Sequence, residues 1–345
     1  RKIRLNDLFE YDTELQKWRE IPMRGTFPGP RDCHSAVLFK DRYMIIFGGA
    51  NGSVWLNDVF QYDILKEEWS LLVPRSIALP QGRAGHSAVL LGDDLIITAG
   101  WMGSRTLQDC WKFNLRSLLW TQVIYASVPP RPRDSHTSVI HFDKSGRPLL
   151  YIFGGGSSSK RHTGICIFDF ETRKWSTHKS EYFLRLAGHD VIKTPDCKCI
   201  FFGGGDGVSW KRTLVQYDLK SDQWHKIKTS QRKEPPGAYG LSFVLYQVKH
   251  RLRAICWGGG NGDTFYSDLF ELDLTHRYPM LMVRDYFCDC IVRTGDDMDA
   301  KDGFEQICRS LFVSGICGQR DTQQSSSSAP SSLITPPSSP RATAA

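Results

Sequence analysis

The sequence predicts an all-β fold built from repeated four-stranded antiparallel units packed side by side. Three spacings carry this reading. Trp18, Trp69, Trp120, Trp175 and Trp224 recur 51, 51, 55 and 49 residues apart. Each is preceded six positions earlier by Asp12, Asp63, Asn114, Asp169 or Asp218. Glycine pairs ending at Gly49, Gly100, Gly155, Gly204 and Gly259 stand fourteen residues before Asp63, Asn114, Asp169, Asp218 and Asp273, with Ala99 as the first member of the second pair. Two intervals that stay constant while the whole period drifts mark a repeat of about fifty residues.

The elements follow in order. A first strand is opened in three repeats by Arg31 and His34, Arg83 and His86, and Arg133 and His136; the fourth repeat has a shifted version ending at His189, and the fifth keeps only Gly237 to Gly240. The second strand is an apolar, β-branched run ended by the glycine pair, from Tyr43 to Phe47 in the first repeat and from Ala254 to Trp257 in the fifth. A third strand, such as Leu56 to Tyr62, runs to the Asp or Asn, whose short side chain suits the turn into a fourth strand begun by Trp. Glycine at the end of an inner strand permits positive φ and close backbone approach. An aromatic pair such as Tyr62 with Trp69 fills the space between twisted sheets. One such meander cannot bury both faces, so the units must stack radially as the blades of a propeller.

These residues together, the Arg-x-x-His-Ser start, the glycine pair and the Tyr-Asp followed by Trp, resemble kelch repeats over about residues 3–280. The phrases around Arg31, Arg83 and Arg133 are similar to those of kelch-domain-containing and leucine-zipper-like regulator proteins. Leu5 to Trp18 supply only a third and fourth strand, so six blades are expected with one incomplete. Its missing inner half is expected upstream of Arg1; the alternative is closure by 285–293 and 310–318, although Phe304, Ile307, Leu311 and Phe312 recur at helical spacing. The expected organisation is a propeller over 1–284, a degenerate segment over 285–320 that supplies closing strands or a short helix, and a Ser/Pro-rich disordered tail over 321–345.

Composition excludes several classes. Lys plus Arg total 44 and Asp plus Glu 37, a net charge of +7 too small and too scattered for a nucleic-acid surface. No apolar run is long enough to span a membrane, and no secretory leader is read at Arg1. The ten cysteines follow no framework spacing, which suits reduced thiols and a cytoplasmic, or nuclear, protein. No cofactor or metal is expected. Cys197 with Cys199 and Cys288 with Cys290 lack zinc-ligand spacing. His34, His86, His136 and His189 hold the same position in successive blades, too far apart for one ion, and are expected to bond to neighbouring blades. The Glu-x-x-x-Asp-x-x-x-His cluster of the iron-dependent kelch proteins and the common hydrolase and phosphate-loop motifs are absent from the sequence. The reading is therefore not an enzyme.

The resemblance implies instead a protein-binding face, made by the loops between second and third strands and by those joining blades. There the sequence places Trp55, Trp101, Arg105, Arg161, Trp210, Arg212, Phe265 and Tyr266, and in the joining loops Arg75, Arg131 and Arg232. Trp, Tyr and Arg are the residues enriched at binding hot spots. With few acids among them, this face is expected to be positive and to take an acidic peptide or loop. The expected role is an adaptor or scaffold, extending to the substrate receptor of a ubiquitin ligase. The alternative is a propeller enzyme or carbohydrate-binding protein acting at the channel mouth. Arg31, Arg83 and Arg133 belong to the repeat and are expected to be structural.

Overall fold

The spacing of turn residues sets each blade. The computed structural model of the chain describes residues 4–157, 160–178, 185–212, 214–228, 235–248, 251–275 and 310–313. The first full blade runs Ser35–Phe39, Tyr43–Phe47, Val59–Asp63 and Glu68–Leu71, bonded in that order. The second runs Ser87–Leu91, Asp94–Trp101, Thr106–Asn114 and Leu119–Gln122. The third runs Asp134–Phe142, Pro148–Ser157, Ile165–Asp169 and Lys174–His178, with the short strand Lys160–Arg161 added to Pro148–Ser157. The fourth runs Ala187–Lys193, Lys198–Gly205, Val215–Asp218 and Gln223–Lys226, and the fifth Tyr239–Val248, Arg251–Gly260 and Leu269–Asp273. A fourth strand of this blade would fall near Tyr278 and Pro279, which lie outside the described residues.

Third strands end as predicted. The Oδ1 atoms of Asp12, Asp63, Asn114, Asp169 and Asp218 each accept the N–H groups two and three residues on, at 2.8–3.3 Å. Across the turn the aromatic pairs stand in register, with Tyr62 opposite Trp69 and Tyr217 opposite Trp224. Ring centroids lie 4.8–5.1 Å apart in all five pairs. Each cluster of buried side chains spans two blades. Phe47 of the first blade packs with Phe113 and Trp120 of the second, and Ile200 of the fourth packs with Leu241 and Phe243 of the fifth.

The blades are also joined through their backbones. The N–H groups of Gly49, Gly100, Gly155 and Gly204 donate to the carbonyls of Arg83, Arg133, Leu186 and Ala238 in the next blade at 2.6–2.8 Å. These glycines have φ between +78° and +105°. A Cβ on Gly155 would stand 2.6 Å from Asp134 O and 2.7 Å from His136 Cβ, so the approach excludes any side chain. Beside this bond runs a side-chain ladder. Ser35 Oγ pairs with His86 Nε2 at 2.8 Å, Ser87 Oγ with His136 Nε2 at 2.8 Å, and Thr137 Oγ1 with His189 Nε2 at 3.0 Å. His86, His136 and His189 thus bond to neighbouring blades. Where the fifth blade has no histidine, Asp190 Oδ2 accepts the Phe243 N–H at 2.8 Å instead.

A sixth sheet stands between the fifth blade and the first. It consists of Lys17–Ile21, Leu8–Asp12 and Ser310–Val313, with Leu8–Asp12 in the middle. Leu8 and Ile21 pack against Met44 and Ile46 of the first blade, and Tyr11 packs against Val244 and Ile255 of the fifth. Ser310–Val313 fills the place of a second strand, so this part of the ring follows the alternative of closure from the C-terminal side, and here the segment is a strand, contrary to its helical spacing. Backbone pairing with Leu8–Asp12 outweighs that periodicity. The rest of 285–320 and the tail lie outside the described residues.

Two predictions follow from this packing. Trp120 is 4% exposed, wedged between Phe47 and Phe113, whereas Trp55 is 38% exposed. Trp120→Ala is expected to cost about 3–5 kcal/mol in urea unfolding, and Trp55→Ala less than about 1 kcal/mol. The second concerns pH. Burial, with the Arg83 charge, pushes His86 down to about 3; burial pushes His189 down to about 4; and His136 also falls well below its ordinary 6.5. A neutral folded histidine whose unfolded form protonates below pH 6.5 stabilises the fold above that pH, and the contribution is lost as pH falls. Each costs about 1.4 kcal/mol per pH unit. Asp190, raised to about 6 by burial, acts in the opposite direction by about 1 kcal/mol. With His34, which burial and the Arg31 charge push down to about 3, stability is expected to fall by roughly 4–5 kcal/mol from pH 7.5 to 5.5, read from urea midpoints at the two pH values.

Candidate partner-binding face

The loops after the glycine pairs are tight and alike. The residue following each pair bridges to the one five further on: Ala50 to Trp55, Trp101 to Thr106, Gly156 to Arg161, Gly205 to Trp210 and Gly260 to Phe265. Asn51, Asp206 and Asn261 hold the turn by accepting the N–H groups two and three residues on through Oδ1. One loop position therefore presents Trp55, Thr106, Arg161, Trp210 and Phe265 in successive blades on the same side of the propeller.

The aromatic side chains there are partly committed to neighbours. Trp55 lies against Gly103 of the next blade's loop, where an added Cβ would run into the indole. Trp210 is 39% exposed, packs on Tyr239 at 4.7 Å between ring centroids, and donates its Nε1–H to Asn261 O. Phe265 is half-buried over Gly260, and Tyr266 packs on the cluster between the fourth and fifth blades. Each indole leaves an outer edge in solvent while its base bridges two loops. Such rigid, preformed surface loses little entropy on binding.

Trp101 lies differently from its expected place in a loop. It is the last residue of the strand Asp94–Trp101 and exchanges both backbone hydrogen bonds with Ala84, because a bulge between Thr98 and Gly100 lets the strand continue past the glycine. Arg75 also departs. Its N–H donates to Leu118 O in the turn between third and fourth strands of the second blade, so it runs along the outer blade edge, away from the loop face. Arg232, like Tyr182 and Phe183, lies outside the described residues. Arg105, Arg131 and Arg212 are exposed, and Arg161 is half-buried with its Nε unbonded. None of these four forms an ion pair with a described residue. Lys211 is engaged by Asp206 at 2.6 Å.

Beneath the loops sit the repeat arginines. Arg31, Arg83 and Arg133 are 4%, 0% and 3% exposed. Their Nη1 groups donate to the first-position carbonyls of the glycine pairs, Gly48, Ala99 and Gly154, at 2.8–3.0 Å. Arg31 and Arg83 are then clamped by both oxygens of Asp58 and Asp109 at 2.7 and 2.9 Å. Burial would raise the Asp109 carboxyl, but the bonds and charge of Arg83 hold it below the ordinary carboxylate range. These aspartates, nine residues after the second glycine, were not singled out by the sequence reading; their fixed spacing was the available signal. Among the described residues no group of three or more His, Cys, Asp or Glu side chains is arranged to hold a metal ion.

This ring of repeats matches the KLHDC2/KLHL20/DRC7 Kelch-repeats domain over residues 1–189 and 145–279. The chain belongs to the kelch-repeat family. This kelch propeller is 28% identical over 307 residues to the leucine-zipper-like transcriptional regulator 1 homolog of Drosophila melanogaster, covering 82% of the chain and 30% of that protein. It is 31% identical over 187 residues to Kelch domain-containing protein 3 of Rattus norvegicus, 48% of the chain and 47% of the relative. To acyl-CoA-binding domain-containing protein 4 of Arabidopsis thaliana it is 33% identical over 153 residues, 44% of the chain and 22% of that protein. The kelch chain thus spans less than half the length of each of these relatives. Its fold is consistent with a protein-interaction scaffold.

The clamp yields a test of its own. Asp109→Asn would leave the Arg83 guanidinium buried opposite a neutral group, and is expected to cost about 2–3 kcal/mol in chemical denaturation.

Proposed function

We propose that this kelch propeller is an adaptor that holds an acidic peptide or loop of a partner protein on its loop face and performs no chemistry itself. The observation that carries the reading is the coincidence, on one face, of half-exposed aromatic anchors at Trp55, Trp210 and Phe265 with the unpaired cations Arg105, Arg131, Arg161 and Arg212. Anchors of this kind supply binding energy, and exposed cations speed encounter with an acidic surface. That His86, His136 and His189 are neutral and bonded, and that Arg31 and Arg83 are clamped, speaks for structural duty at the channel mouth. Work in the cytoplasm or nucleus fits the free thiols of Cys110, Cys166, Cys199 and Cys256, all buried. Recognition of substrates for a ubiquitin ligase is the extended form of this proposal.

The triple variant Arg105→Glu, Arg161→Glu, Arg212→Glu is expected to lose the partner while melting like the wild type, and wild-type binding is expected to weaken as salt screens exposed charges beyond about 8–10 Å. A matched variant of the opposite face, Lys40→Glu with Lys144→Glu, is the control. Partner capture compared across the three proteins checks the reading. Equal loss in the control, or salt-independent binding to the triple variant, places the partner elsewhere.

A further inference from the structure

The third blade breaks the arginine clamp at two points. Nine residues after the second glycine, where the first two blades have Asp58 and Asp109, it has Gly164. Eleven residues after, where Phe60 lies under the Arg31 guanidinium and Trp111 bonds Asp109, it has Cys166. Arg133 nevertheless keeps its place. Its Nη1 meets Gly154 O at 2.8 Å as its counterparts meet theirs, but its Nη2 faces only the Cys166 sulfur at 3.3 Å, a weak acceptor. A guanidinium 3% exposed is left without a carboxylate among the described residues.

Further cations surround this position. Arg131 accepts the Arg133 Nε–H through its carbonyl and extends its own side chain into solvent. Lys160 and Arg161 form a short strand of their own beside Gly156 and Ser157. His162 follows, 8% exposed, with Nε2 on Pro132 O at 3.0 Å. Asp134 is the nearby acid, and Ser135 Oγ donates to it at 2.8 Å. Burial first, then the charges of Arg133, Arg131 and Lys160, hold His162 below its ordinary range, while the Pro132 carbonyl opposes them. In the first two blades the clamping carboxylates come from the solvent side, with 30% and 23% of their side chains exposed.

We infer that the third blade is the seat for a carboxylate supplied by the partner, which takes the place against Arg133 that Asp58 and Asp109 fill against Arg31 and Arg83, with Arg161 as its second donor. This rests on the loop face being the partner site, and it names where on that face an acidic residue docks. A buried guanidinium gains most from a paired, planar acceptor, and the chain supplies that acceptor twice but not the third time.

The test follows the His162 ring by NMR across pH in the full chain. The ligands are acetate, an N-acetylated and C-amidated peptide with internal Glu, its Gln counterpart, and a neutral peptide with a free C-terminus. Acetate and the Glu peptide are expected to raise the His162 pKa saturably, because a nearby carboxylate favours imidazolium, and the Gln peptide to leave it unmoved. Arg161→Gln should weaken the Glu peptide about tenfold. Cys166→Asp, which puts a carboxylate where the sulfur meets Arg133 Nη2 at 3.3 Å, should abolish the response by filling the seat from within; should that variant fail to fold, Arg161→Gln carries the comparison. A response to the free C-terminus alone keeps the seat and assigns its carboxylate to a chain end. Equal binding of Glu and Gln peptides with His162 unmoved overturns the inference. If Trp55→Ala and Trp210→Ala still abolish partner binding in that case, the loop face stands and only the third-blade seat falls.

Discussion

One backbone hydrogen bond, repeated from blade to blade, governs this molecule: the N–H of the second glycine of a pair reaching the carbonyl that opens the next blade's inner strand. An amide can point that way only from positive φ, and the space between the strands admits no Cβ. Much else follows from the close approach. The inner histidines come within reach of hydroxyls on the preceding blade, the arginines fold back over the glycine carbonyls, and the blades diverge outward to leave a gap as wide as an indole. Trp69 and Trp120 fill that gap at 2% and 4% exposure.

The molecule separates what holds the ring from what meets a partner. Polar groups that look reactive in the sequence lie at the inner strands, where His86, His136 and His189 pair with hydroxyls of the neighbouring blade and the three arginines bond the glycine-pair carbonyls. The loops beyond the glycines are held by Asx turns and backbone bridges, so their side chains vary without disturbing the strands. The same loop position carries Trp in two blades and Arg in a third. A rigid frame with interchangeable tips suits recognition more than catalysis, which needs convergent groups with opposed protonation states.

Departures from the repeat carry the most information in such a frame. A repeat residue is explained by its neighbours, whereas a missing one leaves its former partner to be explained. Arg133 retains its carbonyl bond and lacks a carboxylate among the described residues, in the blade whose loop carries Lys160 and Arg161. Local violations of an otherwise consistent pattern are expected where function overrides stability.

Strands, turns and blade period were legible in the sequence because each depends on residues fewer than about fifteen positions apart: Asp63 caps its own turn, Tyr62 faces Trp69, and Gly49 ends its own strand. The role of His86 was also legible, since symmetry alone forbids a shared ion. Tertiary structure decided what depends on partners further away, from 17 residues between Trp101 and Ala84 to about 300 between Ser310–Val313 and Leu8–Asp12. It set Trp210 on Tyr239, carried Arg75 along the outer edge of the second blade, continued the strand through Trp101, and paired Ser310–Val313 with Leu8–Asp12 against a helical spacing. The physical reason is that none of these contacts is written into the spacing of the repeat. Local spacing encodes hydrogen bonds within a blade, but contacts between blades are set by how closely the twisted sheets approach, and that distance exists only once the ring has formed.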